Sequence, residues 1–335
     1  MTGQQLKNSI LQMAVQGKLV PQYPNDEPAS VLLERIRAEK EQLIKEGKIK
    51  KEKNPSVIFR GADNLPYEKV GKNEPVCIAD EVPFDIPESW EWVRLSTICS
   101  KLVDGDHNPP KGMAVKTNYI MASSTNINND TLVELDKVRH LSEDVFKKEN
   151  ERTRAVEGDI FFTSVGSLGR SCVYMGGYNI CFQRSVSVLS TQIYNYYLKY
   201  CLDSGYIQQK VFREATGTAQ KGFYLQQLAS LLIPVPPLKE QYRIVAKYEY
   251  LSPLITLYTN TVEISNSLNY EFSNKLKKSI LQEAVQGKLV PQDPNDEPAS
   301  VLLERIRAEK EQLIKAGKIK RDKHESVIFR RDNSY

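Results

Sequence analysis

Apolar and polar residues alternate with helical spacing near the N-terminus and predict two short amphipathic helices joined by a polar loop. The first helix is expected over residues 7–16 and the second over residues 28–45, with Gly17 at a C-cap position after the first. Asn25 or Asp26 is the candidate N-cap of the second helix. The apolar faces are Ile10, Leu11, Ala14 and Val15 in the first helix and Leu32, Leu33, Ile36 and Leu43 in the second.

The same pattern returns near the other end of the chain. Residues 7–60 align with residues 277–330 at an offset of 270, and only 8 of the 54 aligned positions differ. Two copies are too few for a stacked repeat protein, which needs three or more units. The repeat is therefore interpreted either as a partial gene duplication without a mechanical role or as two equivalent docking surfaces.

A longer periodic pattern precedes the second copy and predicts a long helix with a heptad seam. Pro253 lacks an N–H donor, so we expect a kink or a new helix start there, with Ser252 as the cap. A seam needs a facing helix, which is either the N-terminal copy or the same helix of a second molecule. The seam positions are Ile244, Tyr248, Leu251, Ile255, Tyr258, Val262, Ser265, Asn269, Phe272 and Leu276.

The middle of the chain has a different pattern of apolar and polar residues. Short β-rich runs such as "GDIFFTSV", "RSCVYMGG" and "RSVSVLS" are separated by glycine turns and mixed with helical stretches, without a regular strand–helix–strand alternation. This pattern predicts an α+β fold. We divide the chain into a helical repeat (1–60), a linker (61–82), a globular mixed α/β domain (83–237) and a long helix with the second repeat (238–330).

Composition and charge narrow the class of protein. Apolar residues make up 40% and charged residues 26%, as in an ordinary soluble globular protein. The absence of an apolar run of membrane length, of a secretory signal and of C-x-x-C spacing among the five cysteines predicts a cytoplasmic protein with reduced thiols. Residues 89–276 contain 20 basic and 18 acidic residues, so DNA binding would need a local patch or a partner.

Catalytic motifs are weak or missing. The segment "HNPPK" resembles the Asn-Pro-Pro-aromatic motif of adenine methyltransferases, but Lys111 stands where the aromatic residue would be. No glycine-rich motif for S-adenosylmethionine, no phosphate-binding P-loop and no metal-ligand cluster are found in the sequence. We therefore predict no catalytic residues, no metal site and no cofactor bound by this chain itself.

Several polar and basic residues have the chemistry of DNA contacts. The sharpest segment, "ATGTAQKGFYLQQL", combines glycines with hydrogen-bonding, basic and aromatic side chains. For any single basic residue, the alternative is an ordinary surface charge. The candidate DNA-binding residues are Arg170, Gln183, Arg184, Thr218, Gln220, Lys221 and Tyr224, with His107, Asn108 and Lys111 as weaker candidates.

Five segments together resemble the specificity subunit of type I restriction–modification enzymes, over nearly the whole chain. They are "IPESWEWVRLSTI", "GDIFFTSVGSLGR", "QRSVSVL", "GTAQKGFYLQQLASLLIPVPPLKEQYRIV" and "LKKSILQEAVQGKLVPQ". The resemblance implies a target-recognition domain that reads DNA, flanked by conserved regions whose long helices form an antiparallel, coiled-coil-like bundle. It also implies modification and restriction subunits as partners, which would bind S-adenosylmethionine, ATP and Mg²⁺ and carry out the chemistry.

The chain departs from the family pattern because it has one recognition domain where such subunits usually carry two. A half-sized subunit of this kind is expected to form a homodimer and to direct its partners to a bipartite, interrupted site on double-stranded DNA. The residues expected to dock other subunits are Ile255, Tyr258, Val262, Phe272 and Leu276. The alternatives left open are a DNA methyltransferase in its own right, a non-catalytic coiled-coil assembly protein and a degraded member of the family.

Overall fold

A computed structural model describes residues 1–217, 221–322, 326 and 328. The chain divides into two compact units, unit 1 from Met1 to Glu263 and unit 2 from Ile264 to Tyr335. Unit 1 combines helices with antiparallel and mixed sheets, so the predicted α+β class is confirmed.

The first copy of the repeat forms two helices, α1 (Gly3–Val15) and α2 (Ala29–Lys45). Thr2 caps α1 because its hydroxyl accepts a hydrogen bond from the backbone N–H of Gln5, 3.2 Å away. The expected side-chain cap of α2 is wrong: the helix starts after Pro28 without one. Asp26 instead accepts a hydrogen bond from the Arg243 guanidinium at 2.5 Å. Its carboxylate therefore forms a tertiary ion pair and does not cap the helix.

A small antiparallel sheet follows α2, with strands β1 (Ser56–Arg60), β2 (Pro66–Val70) and β3 (Val76–Cys77). The segment 61–82, which the sequence analysis describes as a linker, thus contains two strands. The sequence analysis missed these strands because their residues are mostly polar, and they are polar because only one face of the small sheet is covered by the rest of the protein. Glu68 on β2 binds Arg94 through two hydrogen bonds of 2.9 and 2.5 Å, and this largely buried ion pair ties the small sheet to the domain. The hydrogen bonds to Arg94 hold the pKa of the Glu68 carboxyl below its usual value.

The remaining strands build the body of the domain. They are β4 Glu91–Arg94, β5 Cys99–Asp104, β6 Tyr119–Ala122, β7 Ile127–Asn128, β8 Thr131–Leu132, β9 Arg139–His140, β10 Ile160–Thr163, β11 Ser171–Val173, β12 Asn179–Phe182, β13 Val186–Thr191 and β14 Leu232–Val235. β4 pairs with β14, and the strands β11-β10-β13-β5 form an antiparallel sheet. The strands β12-β6-β9 form a mixed sheet in which β12 and β6 are parallel, and β7 and β8 form a short hairpin.

Helices cover the sheets and complete the core. They are α3 (Leu95–Ile98), α4 (Glu143–Thr153), α5 (Asn195–Asp203), α6 (Gly205–Glu214) and α7 (Leu225–Ala229). The main core cluster joins side chains from α1, α2, α5 and α6 with strand residues and with the start of the long helix. The first repeat copy is therefore part of the body of unit 1.

The long helix α8 runs without interruption from Leu238 to Val285, and α9 (Ala299–Lys315) follows it in unit 2. A new helix start at Pro253 is therefore wrong. Tyr248 and Ile255, on either side of the proline, are both buried in the core of unit 1, and this packing offsets the lost backbone hydrogen bond. In the described part of the chain, no helix has the length and apolar character needed to cross a membrane.

Candidate nucleic-acid interface

Strands from two sheets end along a common edge of unit 1. Thr163 at the end of β10 pairs with Val186 at the start of β13, and Phe182 at the end of β12 pairs with Ala122 at the end of β6. The connections that leave these strands therefore emerge together. We call this group the loop edge; it comprises residues 105–112, 123–126, 164–170, 183–185, 215–217 and 221–224.

Backbone hydrogen bonds hold the first parts of the loop edge against one another. The N–H of Arg184 donates to the carbonyl of Asp106 at 2.8 Å. The N–H of Ser124 donates to the hydroxyl of Ser185 at 3.1 Å. These bonds join three segments that lie far apart in sequence and fix the direction in which Arg184 leaves the sheet.

The remaining parts of the loop edge join through Ser164. Its N–H donates to the carbonyl of Ser185 and its carbonyl accepts from the N–H of Phe223, both at 2.8 Å. The N–H of Gly222 donates to the carbonyl of Thr216 at 2.8 Å, which holds these two residues together. The described residues Gly222 and Phe223 of the predicted DNA-contacting segment thus lie against the strand ends.

Two close approaches on the loop edge require glycine. A Cβ at Gly105 would lie 2.3 Å from the carbonyl oxygen of Phe182, and a Cβ at Gly222 would lie 2.8 Å from Cζ of the Tyr224 ring. Any larger residue would push the loop or the ring away. These glycines therefore set the distance between neighbouring segments, and Tyr224 remains 48% exposed.

An ion-pair network anchors the loop that begins at Gly105. The Arg152 Nε donates to the backbone carbonyl of Asp104 at 2.8 Å, and the same guanidinium pairs with the Asp104 carboxylate. His107 Nε2 lies 2.7 Å from the other carboxylate oxygen. Burial alone would raise the pKa of Asp104, but the hydrogen bonds from Arg152 and His107 outweigh burial and hold that pKa below its usual value.

The structure brings most of the predicted DNA-binding residues to the loop edge. Gln183 is half-buried, and Arg170 is half-buried at the start of β11, where its guanidinium donates to the carbonyl of Ile127 at 3.4 Å. Thr218 and Gln220 lie outside the described residues. No contact with DNA is tested by this placement, so each role stays a prediction. The exposed members of the set are His107, Asn108, Lys111, Arg184, Lys221 and Tyr224.

The predicted docking residues of α8 fall into two groups. Ile255 is 8% exposed and packs in the core of unit 1, Tyr258 donates its hydroxyl to the carbonyl of Met1 at 2.9 Å, and Val262 is half-buried. In unit 2, Phe272 is 66% and Leu276 47% exposed. Only the second group presents a free apolar surface, and docking by these residues stays a prediction.

Reactive groups are scarce in the described part of the chain. Cys99, Cys172, Cys181 and Cys201 are buried, and burial raises the pKa of each thiol to about 12. Among the described residues, no group of histidine, cysteine or acidic side chains is placed to hold a metal ion. What the loop edge offers is exposed amide, imidazole, cationic and aromatic groups.

The comparison with known families covers the loop edge. Residues 87–270 match the family model described as the type I restriction modification DNA specificity domain. The chain belongs to this family. The matched region of the DNA specificity domain contains every segment of the loop edge, whereas α1 and α2 lie before it.

Curated relatives show the same kinship. The chain is 31% identical over 371 aligned positions to the type I restriction enzyme EcoAI specificity subunit of Escherichia coli, covering 95% of this chain and 57% of the relative. For the EcoEI specificity subunit of the same species, the identity is 31% over 369 positions, with the same coverage. The chain therefore spans little more than half the length of these relatives. A solved structure of the HsdS subunit from Thermoanaerobacter tengcongensis matches with a TM-score of 0.42 and 20% identity, covering 62% of this chain and 47% of that one.

Two residues that hold the loop edge of this DNA specificity domain in place were missed by sequence reasoning. Arg152 anchors Asp104, as described above, and Arg139 donates to the carbonyl of Pro110 at 3.1 Å, which pins the loop that carries Lys111. Both arginines lie in polar, charged stretches without a motif. Their roles depend on strand pairings over long separations, so no local signal could have found them.

Proposed function

We propose that this chain is the recognition part of a type I restriction–modification specificity subunit and that it reads double-stranded DNA with its loop edge. The observation that carries the proposal is the convergence of exposed His107, Lys111, Arg184, Lys221 and Tyr224 from three separate segments. Membership of the DNA specificity family supports it. Side chains from several loops held on one sheet edge can contact phosphates and base edges at the same time.

These groups fall into two classes, those suited to positioning the DNA through its phosphates and those suited to reading its bases. Lys111 and Lys221 are flexible cations suited to phosphate contacts, and the Arg184 guanidinium has the fork geometry that binds guanine in the major groove. Asn108 offers an amide for an adenine edge, and Tyr224 offers an exposed ring for stacking or methyl contact. Because acidic residues nearly balance basic ones across the domain, we expect discrimination to come from these specific contacts rather than from a general positive field.

We further propose that the chain is not itself an enzyme and that it lends its sequence preference to a modification and a restriction subunit. Those partners would bind S-adenosylmethionine, ATP and Mg²⁺. The exposed Phe272 and Leu276 on α8 would form part of the surface through which the chain pairs with a second copy or docks a partner subunit. Methyl transfer from S-adenosylmethionine to DNA by the purified chain alone would contradict this division of labour.

Fluorescence anisotropy with duplex DNA tests the loop edge directly. Duplexes are first selected from a random pool, with and without the modification subunit, and binding is then measured over a range of salt concentrations. Arg184→Ala/Lys221→Ala should weaken binding about tenfold or more, reduce the salt slope by about one phosphate contact through Lys221, and relax the preference at one base pair through Arg184.

Lys72→Ala/Lys247→Ala is the matched control, because it removes two exposed positive charges outside the loop edge. It should leave affinity within about twofold of the wild type, since isolated distant charges contribute little beyond a Debye length. Equal losses in the two pairs of substitutions, or no loss in either, would remove the loop edge from the DNA interface.

A further inference from the structure

The first copy of the repeat is bound to a defined surface of unit 1. We call residues 7–50 the N-copy, residues 277–320 the C-copy, and the surface formed by Trp90, Glu240 and Arg243 the acceptor surface. Gln22 of the N-copy donates to Glu240 Oε1 at 2.5 Å, while the Trp90 indole donates to Oε2 of the same carboxylate at 3.0 Å. Asp26 pairs with Arg243 at 2.5 Å.

Apolar contacts complete the docking of the N-copy. Leu11, Val15, Leu33 and Ile36 are each at most 3% exposed and belong to the same core cluster as Trp90. The polar contacts therefore surround a buried apolar face. This combination gives both affinity and a fixed orientation.

The C-copy carries the same groups without the same surroundings. Leu281, Val285, Leu303 and Ile306 are the counterparts of the four buried residues, and they are 64%, 89%, 52% and 49% exposed. Gln292 and Asp296 correspond to Gln22 and Asp26. At these six positions, the C-copy thus has the same residues with which the N-copy docks.

The C-copy also has the conformation that binding requires. Gln292 Nε2 donates to the carbonyl of Gly287 at 3.2 Å, as Gln22 Nε2 does to Gly17 at 3.2 Å. The two glycines have φ angles of 70° and 69°. The following helices, α9 and α2, begin and end at equivalent positions. Little ordering is therefore needed before docking, which favours affinity.

The positions at which the copies differ are exposed in the N-copy, and one of them, Tyr23, lies beside the acceptor surface. Between residues 7 and 50 the differences are Asn8 to Lys278, Met13 to Glu283, Tyr23 to Asp293 and Glu46 to Ala316, and all four N-copy residues are exposed. Tyr23 lies against the Arg243 guanidinium, 4.3 Å from the ring centre. The aspartate at 293 would offer Arg243 an opposite charge in that place.

We propose that the C-copy is a second ligand for the acceptor surface and that it docks on the acceptor surface of a second copy of this chain, in exchange with that chain's N-copy. Each chain has one such surface and two segments that fit it. The N-copy is favoured in an isolated chain because its tether gives it a high effective concentration. The C-copy replaces it when chains are concentrated or the N-copy is weakened, which is a segment exchange between identical protomers.

None of the polar residues named for the exchange lies on the loop edge, so the exchange can be tested separately from DNA recognition. Weakening only the N-copy should drive it. Gln22→Ala/Asp26→Ala in the full chain removes two polar contacts to the acceptor surface while leaving Gln292 and Asp296 in place. At roughly a factor of ten for each lost contact, self-association measured by analytical ultracentrifugation should tighten at least tenfold over the wild type.

The matched control adds the same two changes to the C-copy. Gln22→Ala/Asp26→Ala/Gln292→Ala/Asp296→Ala should return self-association to the wild-type level, because both segments are then weakened equally. Pairing through α8 would be common to all three proteins, so differences among them report the acceptor surface alone. No tightening in the double variant, or persistent tightening in the quadruple variant, would overturn the proposal.

A second measurement uses the unaltered chain and so does not depend on how the variants fold. Isotope-labelled and unlabelled chains are mixed at high concentration and treated with a lysine cross-linker. The proposal predicts intermolecular links from Lys288 to Lys239 or Lys247 beside the acceptor surface, with position 283 separating the C-copy peptide from its N-copy counterpart. Absence of these links would also overturn the proposal. DNA binding by the same samples reports separately on the proposed function.

Discussion

The N-copy and the C-copy share nearly all their residues but differ in their surroundings. Leu33 is 3% exposed and Leu303 is 52% exposed, although each occupies the same position in a helix of identical sequence. The local sequence therefore determines where these helices begin and end, while the acceptor surface determines whether their apolar faces are buried. A repeated segment can thus be a structural part of a domain in one place and an available docking element in another.

The difference in burial has energetic consequences. Burying a leucine side chain contributes about 1.5–3 kcal/mol, and the N-copy gains this contribution at several positions. Most helical stability in proteins comes from packing of an apolar face, and α9 has no buried residue. The same substitution should therefore have different effects on stability in the two copies, and paired variants can measure how far the comparison holds.

The largest effect is expected at the buried leucine of α2. Leu33→Ala should lower the free energy of unfolding by about 2–5 kcal/mol, because it leaves a cavity in the main core. Leu303→Ala should change it by less than about 0.5 kcal/mol. Urea denaturation followed by circular dichroism gives both values, and equal losses would show that the C-copy is packed as tightly as the N-copy.

A smaller effect is expected at the glutamine that binds the acceptor surface. Gln22→Ala removes a donor from Glu240, a carboxylate that is 1% exposed, and should cost about 1–3 kcal/mol. Gln292→Ala loses only its bond to Gly287 within the copy and should cost less than about 1 kcal/mol. Thermal unfolding of the two variants under one set of conditions would settle the order, and a larger cost at 292 would contradict the assignment of the acceptor surface.

Replacing the glycine that follows the first helix of each copy should destabilise the protein through one effect that both copies share and one that only the N-copy has. Alanine at Gly17 or Gly287 takes a positive φ and is strained by about 1 kcal/mol in both places. At Gly17 the added Cβ would also lie 2.5 Å from the Pro87 ring, whereas at Gly287 it would meet the flexible side chain of Gln292, with Nε2 3.1 Å away. Chemical denaturation should therefore show Gly17→Ala to be the more destabilising by about 1 kcal/mol; a reversed order would argue against contact with Pro87.

The smallest effect is expected where the copies differ in sequence. Tyr23→Asp gives the N-copy the residue of the C-copy and exchanges a ring beside Arg243 for a carboxylate. The exposed cation–π contact is worth about 0.5–1 kcal/mol, and an ion pair at this half-exposed site offsets part of it. A change in unfolding free energy within about 0.5 kcal/mol is expected. A loss above about 2 kcal/mol would mean that the copies are not interchangeable at the acceptor surface.

Features set by neighbouring residues could be predicted from the sequence. The second helix was expected over residues 28–45 and is observed over Ala29–Lys45, because loop composition and apolar spacing are local signals. The restart at Pro253 was wrong because packing on both sides of the proline is a tertiary effect. The strands within 61–82 were hidden because only one face of that small sheet is covered.

The loop edge shows the same limit at a functional site. Arg184, Lys221 and His107 could be selected one by one from their residue types, and Lys221 and His107 also from the glycines near them. Their proximity depends on pairings such as that between Asp106 and Gln183, which no local pattern specifies. Arg152 could not be found at all, because its role is to bind a carboxylate 48 residues away in sequence.

Hydrogen exchange measured by mass spectrometry tests most directly whether the acceptor surface, rather than the sequence, causes the difference in packing between the two copies. Helices α2 and α9 have the same sequence and hence the same intrinsic exchange rates, and peptides reaching position 46 or 316 are told apart by glutamate or alanine. At a concentration where the chain is monomeric, amides of α2 should exchange at least about a hundredfold more slowly than those of α9, because α2 opens only with the core. Equal protection of the two helices would contradict the different roles assigned to the two copies.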